Sequence, residues 1–255
     1  MIFYYSGCGN SRHIAQQLAH GLGEQLLFIP ELTRKGFGRY RLDDNETLGF
    51  VFPVYSWAAP TLVEQFILDT KWEGTPRHVW FACTCGDEMG YTRRIFEQTL
   101  HKAGLPLHAC YCFIMPETYL ALPFFHLDTP ERAEAKIKAA DAKLPRVTDE
   151  IRTHQNTYDE HIGPLPYIKS YLIRPLFTRY MNDNKYHVGT DCTGCGKCAK
   201  VCPLKNITTD PTGRPQWNHH CTQCMACYHY CPHNAIHIST YTKGKGQYHY
   251  TDSKT

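Results

Sequence analysis

The sequence predicts an α/β fold, with a doubly wound, five-stranded parallel sheet covered by helices on both faces, followed by a small cysteine-rich α+β domain. Two observations support this prediction. Short apolar strand candidates alternate with helical stretches through the first part of the chain, which is typical of a parallel sheet between two helical layers. Eight of the thirteen cysteines are concentrated in residues 192–231, which indicates a separate domain organised around thiolates.

Five strand candidates form the predicted sheet. They are residues 1–5, Leu26–Ile29, Leu48–Phe52, Val79–Cys83 and Leu107–Ile114. Helices are predicted over Arg12–His20, Pro60–Leu68, Tyr91–Lys102 and about Pro130–Thr153, the last of which is rich in Glu, Ala and Lys. In open sheets of this kind, ligands bind outside the carboxyl ends of the strands, so the loops at that edge are the first place to look for a site.

Three loops at that edge have the composition of a ligand site. The first, SGCGNS, turns from a strand into a helix, a geometry in which backbone N–H groups bind a phosphate. The second, PVYSWAAP, carries two aromatic side chains, and the third is TCGDEMGY. Together they predict a site for a planar ring system with a phosphate, such as FMN. The predicted FMN-binding residues are Ser6, Gly7, Cys8, Gly9, Asn10, Ser11, Pro53, Val54, Tyr55, Ser56, Trp57, Thr84, Cys85, Gly86 and Asp87.

The cysteine-rich stretch contains the pattern Cys-x-x-Cys-x-x-Cys-x-x-x-Cys-Pro twice. This run is the ligand signature of paired [4Fe–4S] clusters, in which the fourth Cys of each run ligates the cluster of the other run. That rule assigns Cys192, Cys195, Cys198 and Cys231 to one cluster, and Cys202, Cys221, Cys224 and Cys227 to the other. Zinc sites or a disulfide framework are the alternatives, but zinc sites usually show two separated Cys pairs.

Composition limits the class of protein. The hydrophobic content of 42% and the charged content of 20% are ordinary for a globular protein. No apolar run reaches the roughly 18 residues that span a bilayer. Thirteen cysteines without an export signal predict a reducing cytoplasm. A net charge of only +3, with no block of basic and aromatic residues, predicts no nucleic-acid partner.

Five cysteines lie outside the repeated pattern. Cys83, Cys110 and Cys112 belong to neighbouring strands and are expected to be buried as small hydrophobic residues. Cys8 could instead be a nucleophile in a phosphate-binding loop. The Cys-x5-Arg loop of small tyrosine phosphatases would however need an arginine where this chain has Ile14.

The sequence divides into four segments. Residues 1–160 are the predicted FMN-binding domain, 161–186 a helical connector, 187–240 the two-cluster domain, and 241–255 a polar tail that is expected to be mobile. The connector is aromatic and basic, and its helical spacing is interrupted by Pro175. We expect it to pack on both domains, and a basic amphipathic helix lying on a membrane is the alternative.

The loops YYSGCGNS, PVYSWAAP and TCGDEMG resemble those of the flavodoxin family, whose members bind FMN non-covalently. With the cluster pattern included, residues 1–240 resemble the flavodoxin–ferredoxin fusion family of anaerobic bacteria and archaea, also called EFR-type ferredoxins. The resemblance implies that Ser6–Ser11 holds the phosphate, Pro53–Trp57 covers one face or edge of the ring, and Thr84–Asp87 meets its pyrimidine side. Two positions depart from the family pattern: Cys8 stands where many flavodoxins have Thr, and Cys85 where many have a ring-stacking aromatic.

These features predict a cytoplasmic iron–sulfur flavoprotein that passes electrons between two [4Fe–4S] clusters and an FMN, with redox proteins as partners and no membrane span. No catalytic residue is predicted. Two alternatives stay open. One is an FMN-dependent reductase of a small-molecule acceptor fed by its ferredoxin domain. The other is a ferredoxin whose flavodoxin-like domain no longer binds FMN and only docks partners.

Overall fold

A computed structural model of the protein describes residues 1–36, 38–180 and 182–251. In chain order, the strands are β1 Ile2–Tyr4, β2 Leu26–Phe28, β3 Arg39–Leu42, β4 Thr47–Pro53, β5 Lys71–Gly74, β6 His78–Cys85, β7 Ala109–Ile114, β8 Tyr158–Asp159, β9 Tyr186–Val188, β10 Ile207–Thr209, β11 Pro215–Trp217 and β12 Ile236–Ile238. The helices are α1 Asn10–Leu22, α2 Ile29–Arg34, α3 Thr61–Asp69, α4 Thr92–Lys102, α5 Pro130–Arg152, α6 Arg174–Tyr180, α7 Lys197–Val201 and α8 Ala226–His229, and a π-helical turn, Ile168–Ile173, leads directly into α6.

A six-stranded parallel sheet organises the first part of the described chain, in the order β2-β1-β4-β6-β7-β8. The five predicted strands are all present, in the doubly wound order that places a switch point between β1 and β4. The sixth strand, β8, pairs Tyr158 with Cys110 and Asp159 with Tyr111 at the edge. Because β8 has only two residues, it lacks the apolar run that identifies a strand in the sequence.

Apolar side chains project from both faces of this sheet, and helices cover each face. On one face, Phe50 and Phe81 pack with Phe66 of α3 and Phe96 of α4. On the other, Trp80 packs in the same cluster as residues of α1 and α5. The strands are therefore buried on both sides, which explains why they read as continuous apolar runs and not as alternating patterns. A separate two-stranded parallel pair, β3 and β5, lies outside the main sheet.

The cysteine-rich region forms a small α+β unit. It consists of two antiparallel strand pairs, β10 with β11 and β9 with β12, and the short helices α7 and α8. Its buried cluster contains Ile207, Ile236 and Tyr228, and also Leu120 and Ala121 from the loop that follows β7. The first region thus supplies part of the interior of the second.

The connector and the tail both differ from what the sequence indicates. Pro175 is the second residue of α6, and the π-helical turn Ile168–Ile173 runs into α6 without a break, so the helical path continues through the proline. Residues 241–251 are not loose, because Tyr248 Oη lies 2.9 Å from Asn10 Oδ1 and the Tyr250 N–H donates to the Cys8 carbonyl. The aromatic side chains of the tail pack against the first region and hold the tail in place. Residues 252–255 lie outside the described part.

Within the described residues, no helix combines the length and the apolar composition that crossing a bilayer requires.

Candidate functional site

A cavity of about 500 Å³ opens at the carboxyl ends of β1, β4 and β6. It is lined by every predicted FMN-binding residue except Gly9, which is covered by Tyr250: a Cβ at Gly9 would lie 2.9 Å from the Tyr250 carbonyl oxygen. The lining residues from the loops are Ser6, Gly7, Cys8, Asn10, Ser11, Pro53, Val54, Tyr55, Ser56, Trp57, Thr84, Cys85, Gly86 and Asp87. Loops far apart in the sequence therefore meet at one site.

The first loop ends at the N-terminus of α1, where Gly9 is the N-cap residue with a φ of 101° and provides no side-chain cap. The polar side chains of this loop are engaged inside the protein. Asn10 Nδ2 donates to the Pro116 carbonyl at 2.9 Å, and the Ser11 hydroxyl lies 2.7 Å from that of Thr84. These bonds hold the loop in shape. The helix N-terminus is thus the feature of this loop that suits an anion, through its backbone N–H groups.

The second loop is a tight reversal held by two bonds between Tyr55 and Ala58. Its central residues, Ser56 and Trp57, have φ values of 51° and 59°, in the left-handed region that non-glycine residues occupy at a cost of about 1 kcal/mol or more. Such strain is concentrated at ligand sites. The buried Ser56 hydroxyl also lacks a hydrogen-bond partner among the described residues, as expected of a group that a ligand satisfies.

Glu88 and Lys169 form a charged pair next to the ring of Trp57. Its indole Nε1 donates to Glu88 Oε1 at 2.9 Å, and the Lys169 ammonium contacts the same carboxylate. Lys169 also lies 5.7 Å from the centre of the Trp57 ring. Because Lys169 belongs to the connector, this contact ties the connector to the second loop and orients the indole at the cavity.

The third loop approaches a buried carboxylate. A Cβ at Gly86 would lie 2.2 Å from Glu117 Oε2, so only glycine fits here without displacing that side chain. Glu117 accepts the N–H groups of Thr118 and Tyr119, and burial raises its pKa above the ordinary carboxyl value. Asp87 is exposed and ion-paired to Arg132 at 2.9 Å, which turns its carboxylate towards α5.

Sequence reasoning missed one side of the cavity. Pro116–Tyr119, Leu122 and Phe125 come from the loop after β7, and Lys169, Ile173 and Phe177 from the connector. Gln223, between two cysteines of the repeat, also lines it. The apolar and aromatic spacing of the connector was the available signal, but spacing alone does not say which surface a helix covers.

The residues of this cavity fit a flavin. Its volume is within the roughly 300–1,000 Å³ range of ligand sites. Aromatic and apolar side chains, a helix N-terminus and an unpaired buried hydroxyl suit a planar ring carrying a phosphate. Cys8 is buried and its Sγ donates to the Cys224 carbonyl at 3.2 Å, while burial raises its pKa, so the structure does not support a nucleophilic Cys8.

The eight cysteines of the repeat surround two separate small cavities. One is lined by Cys192, Cys195, Cys198 and Cys231, and the other by Cys202, Cys221, Cys224 and Cys227. This is the grouping that the crossover rule predicts. We call them the outer quartet and the inner quartet. No three His, Cys, Asp or Glu side chains of the described residues converge on a single-ion site, whereas a cubane is held at four separate irons.

The two repeats share one backbone path. Gly194 and Gly196 of the first have φ values of 70° and 68°, and Gln223 and Met225, at the corresponding positions of the second, have values of 53° and 58°. Backbone N–H groups also point at the sulfurs, as from Asn206 to Cys202 Sγ at 3.3 Å. Donors of this kind tune the potential of a bound cluster. The donor set and loop geometry fit iron–sulfur ligation.

The loop of the inner quartet lies against the cavity that the three predicted loops line. A Cβ at Gly7 would lie 2.7 Å from Cys224 Cβ, and the Tyr5 hydroxyl is 2.9 Å from that of Thr222. Tyr119 Oη donates to Gln223 Oε1 at 3.0 Å on the other side of the same loop. The outer quartet has no such neighbours among the lining residues of the cavity, and its Cys195 is exposed.

Comparison with known proteins bears on the two regions separately. Residues 191–236 match the family model of the 4Fe–4S dicluster domain. No curated protein sequence matches the chain. The second region is thus a small ferredoxin-type domain, joined to an α/β sheet domain.

Two solved structures are similar to part of the chain. One is a candidate flavoprotein from Bacteroides uniformis, with 13% identity over 44% of this chain and 88% of that chain and a TM-score of 0.34. The other is the Trp repressor binding protein from Bacillus subtilis, with 12% identity over 57% of this chain and 96% of that chain and a TM-score of 0.35. Similarity at these values carries no argument about function.

Proposed function

We propose that this protein is an iron–sulfur flavoprotein that passes electrons between two [4Fe–4S] clusters and an FMN. One observation carries the proposal: the cavity lined by the predicted flavin loops touches the loop of the inner quartet. Gly7 meets Cys224 so closely that no side chain fits between them, and Cys8 donates to the Cys224 carbonyl at 3.2 Å. Clusters exchange one electron at a time, and a flavin accepts one or two.

The arrangement gives the relay an order. The inner cluster, held by Cys202, Cys221, Cys224 and Cys227, would exchange electrons with the flavin because its loop borders the cavity. The outer cluster, held by Cys192, Cys195, Cys198 and Cys231, would exchange electrons with a redox protein, because Cys195 is exposed. The two cysteines that cross over, Cys202 and Cys231, make the clusters neighbours.

The finer sequence expectations belong to the same proposal. They are membership in the flavodoxin–ferredoxin fusion family, a cytoplasmic location, redox protein partners, and the domain limits 1–160, 161–186 and 187–240. Contacts between the segments support treating them as one working unit. Lys169 of the connector contacts Glu88, and Arg174 binds Glu64 with both distances under 3 Å.

Cofactor content tests the proposal directly. Anaerobically purified full-length protein is expected to carry about eight irons and about one FMN per chain. Eight irons with no flavin, even after reconstitution with FMN, would overturn the flavin part and leave a ferredoxin with a docking domain. Neither cofactor after reconstitution would overturn the proposal as a whole.

A matched pair of variants locates the flavin. Trp57→Ala removes an aromatic wall of the cavity and is expected to weaken FMN binding by about tenfold or more, with the iron content unchanged. Tyr167→Ala is the control, because Tyr167 is an exposed aromatic of the connector that does not line the cavity. Equal FMN affinity in wild type and Trp57→Ala would place the flavin elsewhere.

A second candidate function is an FMN-dependent reductase fed by the ferredoxin domain. The apolar wall opposite the flavin loops favours it, because Leu122, Phe125 and Phe177 could contact a small acceptor lying on the flavin. Turnover with quinones or nitro-compounds, and a higher KM in Phe177→Ala at unchanged FMN content, would support this function. No turnover with any acceptor of either class would leave electron transfer to a protein.

A further inference from the structure

Three thiols meet inside the sheet, beside the flavin-loop cavity. Cys83 and Cys112 are register partners on the adjacent parallel strands β6 and β7, with their side chains in the same core cluster. Cys85 lies two residues further along β6 on the same face, and its Sγ is 3.4 Å from Cys112 Sγ. The sequence predicted Cys83 and Cys112 as buried small hydrophobic residues and Cys85 as a residue of the third loop, and it did not predict that their thiols meet.

One member of the group borders the cavity. Cys85 lines the cavity wall, whereas Cys112 is not a lining residue and contacts Cys85 through its sulfur. A disulfide has its sulfurs about 2.05 Å apart, so bond formation needs the two Sγ atoms to move closer by more than 1 Å and the backbones of β6 and β7 to adjust around this diagonal pair. The pair therefore stands where a cofactor in the cavity could exchange electrons with it.

The surroundings favour a thiolate at Cys112. Hydrogen bonds from the thiols of Cys83 and Cys85 lower the pKa of Cys112, with help from the Lys143 ammonium and in opposition to burial. Lys143 is held in place by donating to the Cys112 carbonyl at 2.6 Å. The contact with Cys112, together with burial, raises the pKa of Cys85. A thiolate beside a thiol is the arrangement from which a disulfide forms.

We propose that Cys85 and Cys112 form a redox-active dithiol on the wall of the cavity, which exchanges two electrons with the flavin bound there. The inference rests on the proposed flavin site. In the oxidising direction, the Cys112 thiolate and the Cys85 thiol form one S–S bond and release two electrons and one proton. The oxidised flavin accepts both electrons, and the proton goes to the flavin or to solvent. In the reverse direction, reduced flavin returns two electrons and the disulfide takes up the proton. The dithiol would add a two-electron store to a relay whose clusters carry single electrons.

Electron counting tests the inference without relying on turnover. Air-oxidised full-length protein, with FMN and iron measured in the same sample, is titrated anaerobically with dithionite. Wild type is expected to accept about two electrons per chain more than Cys85→Ala or Cys112→Ala, because a dithiol–disulfide couple is a two-electron couple. Cys110→Ala is the matched control, because Cys110 lies two residues before Cys112 on the same face of β7 and is fully buried. This variant is expected to accept as many electrons per chain as wild type.

Peptide mapping identifies the bonded pair. Alkylation of the oxidised protein after acid quenching, followed by digestion, is expected to give one peptide linked through Cys112 in wild type and in Cys83→Ala, and none in Cys85→Ala. A link that survives in Cys85→Ala but is lost in Cys83→Ala would overturn the assignment in favour of Cys83. Equal electron counts and no linked peptide in flavin-loaded wild type would overturn the inference. If wild type binds no FMN, the proposed function fails instead. The protein is then oxidised with a chemical disulfide, and the linked peptide is mapped in the same way to test the dithiol by itself.

Discussion

The two regions of this protein are built on different interiors. The sheet region buries large rings on both faces, among them Trp80, Phe81 and Phe113, each with no exposed surface. The ferredoxin-type region has a smaller buried cluster that includes Cys198 and Cys227 and borrows Leu120 and Ala121 from the first region. A small unit of this kind gains much of its folding free energy from metal ligation, since ligands and fold form together. We therefore expect the sheet region to fold through burial of its rings, and the ferredoxin-type region to need cluster ligation and that contact.

The largest effects should come from removing a ligand of the second region. Cys202→Ala is expected to lose about half of the iron, and specifically the cluster of the inner quartet, because the ligand crosses over. Cys231→Ala should lose the outer cluster instead. Electron paramagnetic resonance of each variant, with Cys195→Ala as the reference for a lost outer cluster, distinguishes the two. Matching spectra from Cys202→Ala and Cys195→Ala would contradict the crossover.

A core truncation tests the other side of the comparison. Phe81 stacks on Phe52 at 5.4 Å and contacts Phe96 at 4.9 Å between ring centres. Phe81→Ala is expected to lower the free energy of unfolding of the sheet region by about 3–5 kcal/mol, as measured by urea denaturation, while iron per chain stays constant in the folded protein. Phe124→Ala is the control, because that ring is 91% exposed, and should change stability by less than about 0.5 kcal/mol. A parallel loss of iron would mean that the regions do not differ in this way.

Acid should weaken the sheet region through one histidine. His78 is buried, and its Nε2 has no hydrogen-bond partner among the described residues. The ring centres of His108 and His154 lie 5.3 Å and 5.5 Å from that of His78. Burial, together with these two neighbours, lowers the pKa of His78 to about 4. In the unfolded chain the group titrates near 6.5, so between those values only the unfolded chain binds the proton.

The sign follows from that difference. The stabilisation is complete above about pH 6.5 and is lost as the pH falls towards about 4, by at most about 3 kcal/mol. Urea denaturation at several pH values should show a shallower decline for His78→Gln, and an unchanged one for His20→Gln, which alters an exposed residue. The same decline in wild type and His78→Gln would show that His78 is not the cause of the loss of stability in acid.

The smallest expected effect concerns the contact between the regions. Gly7→Ala places a Cβ 2.7 Å from Cys224 Cβ and must push the two loops apart, at a cost of about 1–3 kcal/mol. Rapid mixing with a one-electron donor should show slower reduction of the flavin relative to the clusters. Gly189→Ala is the control, because its nearest atom would be at 3.5 Å, an ordinary contact. Unchanged kinetics in Gly7→Ala would mean that electrons reach the flavin by another route.

Local pattern was enough for much of the fold. The apolar runs of β4 and β6 and the Glu-, Ala- and Lys-rich stretch of α5 could be predicted because local composition favours a strand or a helix whatever the rest of the chain does. The two-residue strand β8 could not, because its pairing with Cys110 and Tyr111 depends on the edge that β7 offers. The tail shows the same limit: Tyr248 and Tyr250 look like parts of a loose polar segment until Asn10 and His13 are brought beside them.

Short spacing in the sequence predicted the eight cysteines of the repeat as cluster ligands, their grouping into two quartets, and the three loops that line the cavity. Each of these follows from short spacing, which holds whatever the rest of the chain does. Three features depend on tertiary contacts: the inner quartet borders the cavity, the connector lines the side of the cavity opposite the predicted loops, and the sulfurs of Cys85 and Cys112 lie 3.4 Å apart. Those are contacts between residues that are 27 or more positions apart. Such contacts are selected by the packing of whole elements, and no local spacing encodes them.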